Sequence, residues 1–139
     1  MEHPYFIAIL RLGDQERSGN DEYAIHYVNN TDHDLHDFSI DSGAFFTADD
    51  DPVTMSSTEK AFGTLKERHH LLIEYEGYGL DETIIQYHVH FRVEDESVHQ
   101  TFTLGKGLRG GVKPFSKLPV VKEFGYLFKP DKTAVRGRG

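Results

Sequence analysis

Two histidines separated by one residue are the side chains of this chain best suited to chemistry. They lie in His88-Val-His90, inside residues 85–94, where apolar and polar residues alternate without a break. A period of two predicts a β-strand with one buried and one solvent-facing side, and both imidazoles fall on the solvent-facing side. There they stand about 7 Å apart, so both can reach one Zn, Fe, Mn or Ni ion.

With Glu94, the two histidines match the spacing His-x-His-x-x-x-Glu, which resembles half of the cupin metal signature. The resemblance implies a metal site in a β-barrel. No second Gly-rich half with a third histidine follows, but His99 on the next strand could sit across the hairpin from the pair. The glycine and proline pattern that flanks this signature in cupins is missing, and Arg92 on the same face opposes a cation. We therefore expect an exposed polar face without a cofactor. The alternative is a small cupin-like enzyme that binds a divalent transition metal through His88, His90, Glu94 and His99.

Glycines and basic residues alternate in Gly105-Lys-Gly-Leu-Arg-Gly110. The letters fit Gly-x-Gly-x-x-Gly, but the dinucleotide fingerprint needs a helix N-terminus to receive the pyrophosphate, and two prolines follow instead. The better interpretation is an anion-binding nest that uses Lys106, Arg109 and Lys113. Because the chain also lacks the Gly-x-Ser-x-Gly elbow of serine hydrolases, we expect a protein that is not an enzyme.

Size and composition indicate one domain. The chain has 139 residues, of which 37% are hydrophobic, and no cysteine. The lack of cysteine excludes disulfides and zinc-thiolate sites and is typical of a reducing cytoplasm. The first residues carry no basic region, and the apolar run at residues 6–10 is too short for a signal peptide or a membrane span. We expect a cytoplasmic protein without a membrane partner.

Charge is unevenly distributed along the chain. Residues 1–105 hold 6 Lys and Arg against 21 Asp and Glu, a net charge of −15, whereas residues 106–139 hold 9 against 2, a net charge of +7. The acidic body would repel the phosphates of nucleic acid. The basic segment is expected to lie against its own acidic body or against that of a neighbouring subunit.

Seven strand-like segments alternate with turn-forming residues, at 5–12, 22–28, 35–46, 53–65, 71–75, 83–93 and 98–104. No stretch of ten or more residues shows helical periodicity. This pattern predicts an all-β fold, an antiparallel β-sandwich of about seven to eight strands in residues 1–110, although a barrel buries alternate residues in the same way.

The C-terminal residues are expected to play two roles. Residues 111–130 would dock on the sandwich or add an edge strand, and they would contact a partner through Leu118, Val120, Phe124, Tyr126 and Phe128. Residues 131–139, which end in Arg-Gly-Arg-Gly, would form a disordered basic tail.

The order of these signals resembles that of bacterial immunoglobulin-like domains. A strand that ends in Asn29-Asn-Thr-Asp32 leads into Asp34-Leu-His-Asp-Phe-Ser-Ile40, and the apolar strand Leu71-Leu-Ile-Glu-Tyr75 and a long alternating strand follow. The resemblance covers residues 5–104 and implies the architecture only, because the cysteine pair and core tryptophan of antibody-type domains are absent.

Domains of this kind commonly act as interaction modules. The expected function is therefore non-catalytic binding of a protein partner or of a second copy of the chain. A further alternative is the binding of a carbohydrate or another small ligand on an aromatic face formed by Tyr75, Tyr78 and Tyr87.

Overall fold

Strands make up the regular structure of the chain. The computed structural model describes residues 4–11, 21–48, 51–77, 84–104 and 112–136, and in these ranges no helix is long and apolar enough to cross a membrane. The strands in these ranges are β1 (Tyr5–Arg11), β2 (Asp21–Asn29), β3 (Leu35–Ala48), β4 (Asp51–Leu65), β5 (His69–Gly77), β6 (Ile84–Val93), β7 (Glu96–Leu104), β8 (Val112–Lys117), β9 (Phe124–Phe128) and β10 (Lys132–Arg136).

The strands form two antiparallel sheets. Sheet 1 has the order β5-β2-β1-β9-β8, and sheet 2 has the order β10-β7-β6-β3-β4. Each sheet is open, with two edge strands, so the sandwich forms and not the closed barrel of the cupin-like alternative. The predicted all-β sandwich is confirmed, and each of the seven predicted segments matches one of β1 to β7. Three further strands come from the C-terminal residues.

The main hydrophobic core lies between the two sheets and follows from the alternation in the sequence. On β6, Tyr87, Val89 and Phe91 are buried, whereas the residues between them face outward. The ring of Phe38 packs against Tyr27 of sheet 1, with ring centroids 4.7 Å apart. Burial of such alternating apolar side chains is the dominant stabilising term of a two-sheet fold.

A second, smaller hydrophobic cluster covers the outer face of sheet 1. β1 is buried on both faces, as the sequence pattern predicts for a central strand, and it lies in the middle of sheet 1. Its outward residues and their neighbours are covered by the turn between β8 and β9, which brings Val120 and Val121 against them. The buried members of this cluster are Phe6, Ala8, Leu10, Val28, Leu118 and Leu127.

The C-terminal residues are more ordered than the sequence suggests. Residues 111–130 supply two strands of sheet 1: β9 lies between β1 and β8, and β8 is the edge strand. The expectation of a disordered tail is wrong for Lys132–Arg136, which pair with β7 as strand β10. Residues 137–139 lie outside the described residues. The backbone hydrogen bonds with β7 offset the entropy cost of ordering this short segment.

Candidate functional site

Three histidines lie side by side on the outer face of sheet 2, and we call them the histidine face: His88, His90 and His99. His90 of β6 is directly opposite His99 of β7 in the sheet register. Their rings stack with centroids 4.4 Å apart and an interplanar angle of 12°, and the centroid of His88 lies 5.6 Å from that of His99. The fold therefore brings together three of the four predicted metal ligands.

Two histidines of the histidine face already have polar neighbours at a ring nitrogen. Nε2 of His88 lies 3.2 Å from Oε1 of Gln86, and Nε2 of His90 lies 3.7 Å from Oδ2 of Asp41. Burial lowers the pKa of His99, and the neighbouring His90 and His88 lower it further, so this ring is neutral near pH 7. Among the described residues, no three His, Cys, Asp or Glu side chains form a group that could hold a metal ion.

Glu94, the fourth predicted ligand, lies elsewhere. β6 ends at Val93, and Glu94 follows in the turn with a φ of 55°. Its Oε1 is 3.4 Å from Nδ1 of His33, in an exposed pair. Glu94 follows His90 by four residues, and a strand advances about 3.3 Å with each residue. Its carboxylate therefore lies on a different part of the surface from the histidine face.

A cavity of about 490 Å³ opens beside the histidine face, towards strand β10. Small side chains leave the space: Ala134 lies opposite His99 in the register, and Ser97 lies opposite Arg136. Arg92 also lines the cavity, and its Nε donates to Oδ2 of Asp37 at 2.8 Å. The full lining is Asp37, His90, Phe91, Arg92, Ser97, Val98, His99, Ala134 and Arg136.

Strand β10 is a short exposed edge of sheet 2. It stands at the end of the strand order, and its pairing is with β7. All five of its residues are exposed, and Val135 exposes 52% of its surface, which is high for a large apolar side chain. Lys132 and Arg136 give both ends of the strand a positive charge. An edge of this kind presents backbone groups and side chains to another chain.

An acidic pocket lies at one end of the sandwich, where three turns meet. We call it the acidic turn pocket; its volume is about 360 Å³, and its lining residues are Asp32, His33, Asp34, His36, Glu67 and Glu94. Arg68 neutralises one of its four carboxylates through a 2.9 Å contact from Nη2 to Oδ1 of Asp32. Three carboxylates remain without a lysine or arginine partner among the described residues, so the pocket favours cations.

Asn29 holds the turns around this pocket. It is fully buried, and its Nδ2 donates to the carbonyl oxygens of His33 at 2.8 Å and Lys66 at 3.1 Å. Its Oδ1 accepts from the hydroxyl of Thr31 at 2.6 Å. One side chain thus ties the turn between β2 and β3 to the turn between β4 and β5, and it fixes the carboxylates that the two turns carry.

The predicted partner-binding residues of the C-terminal segment lie mostly inside the protein's own fold. Leu118 and Phe128 each expose 2% of their surface, in the second cluster and the main core respectively. Val120 and Tyr126 are half-buried, and Phe124 is in β9, with its side chain outside the description. The segment therefore docks on its own sheet, and the four side chains of this set that the structure describes offer little surface to a partner.

Other predicted sites fall partly outside the described residues. Lys106 and Arg109 are not among them, and Lys113 is in β8 with its side chain outside the description. The aromatic ligand face is not formed as expected, because Tyr87 is fully buried in the core, whereas Tyr75 is exposed. Tyr78, the third member of that face, is also outside the described residues.

The sequence pattern did not reveal two of these features. Lys132-Thr-Ala-Val-Arg136 contains Thr and Val, which favour strands, but five residues close to the C-terminus are a weak signal. The acidic turn pocket collects residues from three separate turns, so it exists only once the strands have paired.

In comparisons with known proteins, the chain matches no model of a protein family, no curated protein and no solved structure.

Proposed function

We propose that this protein is a non-catalytic module that associates with a second copy of itself. In this proposal, the basic edge strand β10 of one copy contacts the acidic turn pocket of the other. The observation that carries the proposal is the exposure of all five residues of β10, including the half-exposed Val135, at an edge with Lys132 and Arg136 at its ends.

The charges on β10 determine which surface it can meet. If β10 paired with the same strand of a second copy, antiparallel and centred on Ala134, Lys132 of one copy would oppose Arg136 of the other. Like charges directly opposite each other destabilise a strand pair, and basic residues on edges are a known defence against such pairing. The strand therefore needs an acidic partner surface.

The acidic turn pocket supplies such a surface on the same chain. Its four carboxylates, less the charge of Arg68, leave a net charge of −3. Two copies that exchange this contact in both directions close a twofold symmetric dimer, in which each copy gives one basic strand and one acidic pocket. The opposite charges of residues 1–105 and 106–139 favour the same arrangement.

The resemblance to bacterial immunoglobulin-like domains supports an association role, because these domains commonly bind proteins. We place the module in the cytoplasm, since the chain has no cysteine. The proposal requires no metal and no cofactor.

Sedimentation velocity of the untagged protein tests the proposal. At about 0.05 M salt we expect a dimer, and at about 1 M salt a monomer, because the Debye length falls to about 3 Å. The double variant K132E/R136E should be monomeric at both salt concentrations.

The matched control is K117E/K129E, which makes the same charge change at two exposed residues of the basic segment outside β10. This control should dimerise like the wild type. A monomeric wild-type protein at low salt, or equal dissociation of the two double variants, would contradict the proposal.

Metal binding on the histidine face is the second candidate function. The observation in its favour is the position of His99, which adds a third imidazole beside His88 and His90. Rotations of these side chains, of which His90 and His99 are exposed and His88 is half-buried, would be needed for them to converge on one ion. Elemental analysis after incubation with Zn²⁺ should then show a bound ion that is lost in H88Q/H90Q; equal metal content in the variant would exclude this role.

A further inference from the structure

The proposed association does not use the cavity beside the histidine face. Its volume of about 490 Å³ lies within the range of small-ligand pockets, and most of its wall is apolar. Apart from Asp37 of β3, the residues that line it belong to β6, β7 and β10, three neighbouring strands of sheet 2. The cavity is therefore a candidate binding site for a small organic molecule.

We propose that this cavity binds a small aromatic molecule that carries an oxyanion, either a phosphate or a carboxylate. Arg92 and Arg136 would hold the oxyanion above Ser97, and the ring of the ligand would lie against His99 and over Ala134. The site shares Arg136 with the proposed association, but all of its groups belong to one chain, so it does not rest on that association.

Two arginines flank a serine at one end of the cavity. In the sheet register, Ser97 of β7 lies opposite Arg92 of β6 on one side and opposite Arg136 of β10 on the other, and all three are exposed. Neighbouring strands are about 4.8 Å apart, so the backbones of the two arginines are about 10 Å apart, with the short side chain of Ser97 between them. Both guanidinium groups can therefore reach one oxyanion located above the Ser97 hydroxyl.

The two guanidinium groups have donors available for a ligand. Nε of Arg92 donates to Oδ2 of Asp37 at 2.8 Å, and within the described ranges its Nη atoms make no further hydrogen bond. Arg136 has no carboxylate partner within the same ranges. Guanidinium groups match the geometry in which phosphate and carboxylate oxygens accept hydrogen bonds. With the histidines neutral, the two arginines and Asp37 give the lining a net charge of +1, which attracts an anion.

The ring of His99 offers one open face to an aromatic ligand. Its other face stacks on His90 of β6, with centroids 4.4 Å apart and an interplanar angle of 12°. On the side of β10, the residue opposite His99 is Ala134, whose single methyl group leaves the space above it open. A ligand ring can stack on His99 in this space, because aromatic rings pair with centroids about 4.5–7 Å apart.

The two parts of the site are close enough for one small molecule to reach both. Ser97 and His99 are two residues apart on β7, which is about 7 Å along the strand, and their side chains lie on the same face. A ring beside His99 can therefore carry an oxyanion that lies beside Ser97.

An NMR titration of the untagged full chain with phenyl phosphate, at about pH 7.5 and about 0.15 M salt, tests the proposal. We expect saturable shifts of the backbone amides of Ser97, His99 and Ala134. A second titration with benzoate distinguishes the two oxyanions, because the tighter of the two ligands carries the one that the site prefers. Inorganic phosphate and phenol each lack one part of the ligand, so both should bind at least about tenfold more weakly than that tighter ligand.

The contribution of the arginines is tested by R92Q/R136Q, which removes both guanidinium groups and should weaken binding by at least about tenfold. The matched control is K117Q/K129Q, which removes two positive charges at exposed residues outside the cavity lining. This control should bind the ligand like the wild type.

The contribution of the open space over His99 is tested by A134I. Isoleucine favours strands and changes no charge, but it fills the space that the ligand ring needs, so binding should again weaken by about tenfold. Four outcomes would overturn the proposal: no saturable shift with either ligand, shifts confined to other parts of the chain, equal binding by R92Q/R136Q and its control, or unchanged binding by A134I. Amide shifts report ligand binding and sedimentation reports association, so either proposal can fail while the other holds.

Discussion

At the scale of single residues, Asn29 is the side chain on which the acidic turn pocket depends most. Its amide is buried, and it connects two turns through hydrogen bonds to three backbone or hydroxyl groups. A buried carbonyl oxygen that loses its donor is costly, because water cannot replace the missing hydrogen bond.

We predict that Asn29→Ala lowers the free energy of unfolding by about 3 kcal/mol, since it leaves several buried polar groups without partners. Urea denaturation measures this change. His33→Ala is the control, because the carbonyl oxygen of this exposed residue keeps its position in the backbone, and it should cost less than about 0.5 kcal/mol. Equal effects of the two substitutions would show that Asn29 does not hold the turns.

His26, whose ring packs edge to face against that of His70, makes the fold sensitive to acid. The folded chain binds a proton at His26 with a pKa of about 4, whereas the unfolded chain does so near the ordinary 6.5. The unfolded state therefore takes up the proton first as the pH falls, and the stability present above pH 6.5 is lost between 6.5 and about 4.

We expect the midpoint of thermal unfolding of the wild type to fall more steeply than that of His26→Gln over this range. A series of melting curves without added metal, from pH 7 down to pH 4, measures the two slopes. Parallel slopes would mean that His26 is not neutral in the folded state.

The sequence alone identified the histidines of the histidine face but not the contact between His26 and His70. Alternation placed His88 and His90 on one face, and the hairpin added His99, because these residues are close along one pair of strands. His26 and His70 are 44 residues apart, and their meeting depends on the pairing of β2 with β5. No local pattern contains that information.

At the scale of elements, the strands up to residue 104 follow from local sequence, whereas the C-terminal strands do not. The alternation in β6 is strong enough to give its bounds almost to the residue. β8 and β10 are short, and β10 is exposed throughout, so burial leaves no periodic signature in the sequence. β9 lies between β1 and β8, and this position depends on which strands pair in the folded protein. The apolar content of the segment alone could not distinguish it from an edge position.

Gly125 explains how β9 can lie against β1. A Cβ atom at this position would be 2.6 Å from the carbonyl oxygen of Ile9 and 2.7 Å from Cδ2 of Leu10. Backbone atoms cannot move away easily inside a sheet, so any larger residue would force the two strands apart.

We predict that Gly125→Ala destabilises the fold by about 1–3 kcal/mol through this overpacking. Urea denaturation checks the value, and hydrogen exchange should show the lost protection in β1 and β9. Thr133→Ala on the exposed β10 is the control and should change stability by less than about 0.5 kcal/mol. A neutral Gly125→Ala would mean that β9 does not approach β1 so closely.

At the scale of the whole molecule, charge is separated between two surfaces. The sequence showed a net charge of −15 over residues 1–105 and +7 over residues 106–139. It could not show that two of the basic residues lie at an exposed sheet edge, nor that four carboxylates gather in one pocket, because both depend on which strands become neighbours.

A charge-swap experiment tests the proposed self-association most directly. K132E/R136E makes β10 acidic, and E67K/E94K makes the acidic turn pocket basic, so each variant alone has two like-charged surfaces. Mixing the two variants restores opposite charges at both contacts of the dimer. Sedimentation velocity at about 0.05 M salt measures the outcome. We predict that each variant sediments as a monomer and that the mixture sediments as a dimer. A mixture that remains monomeric, although the wild type forms a dimer under the same conditions, would contradict the contact between β10 and the acidic turn pocket.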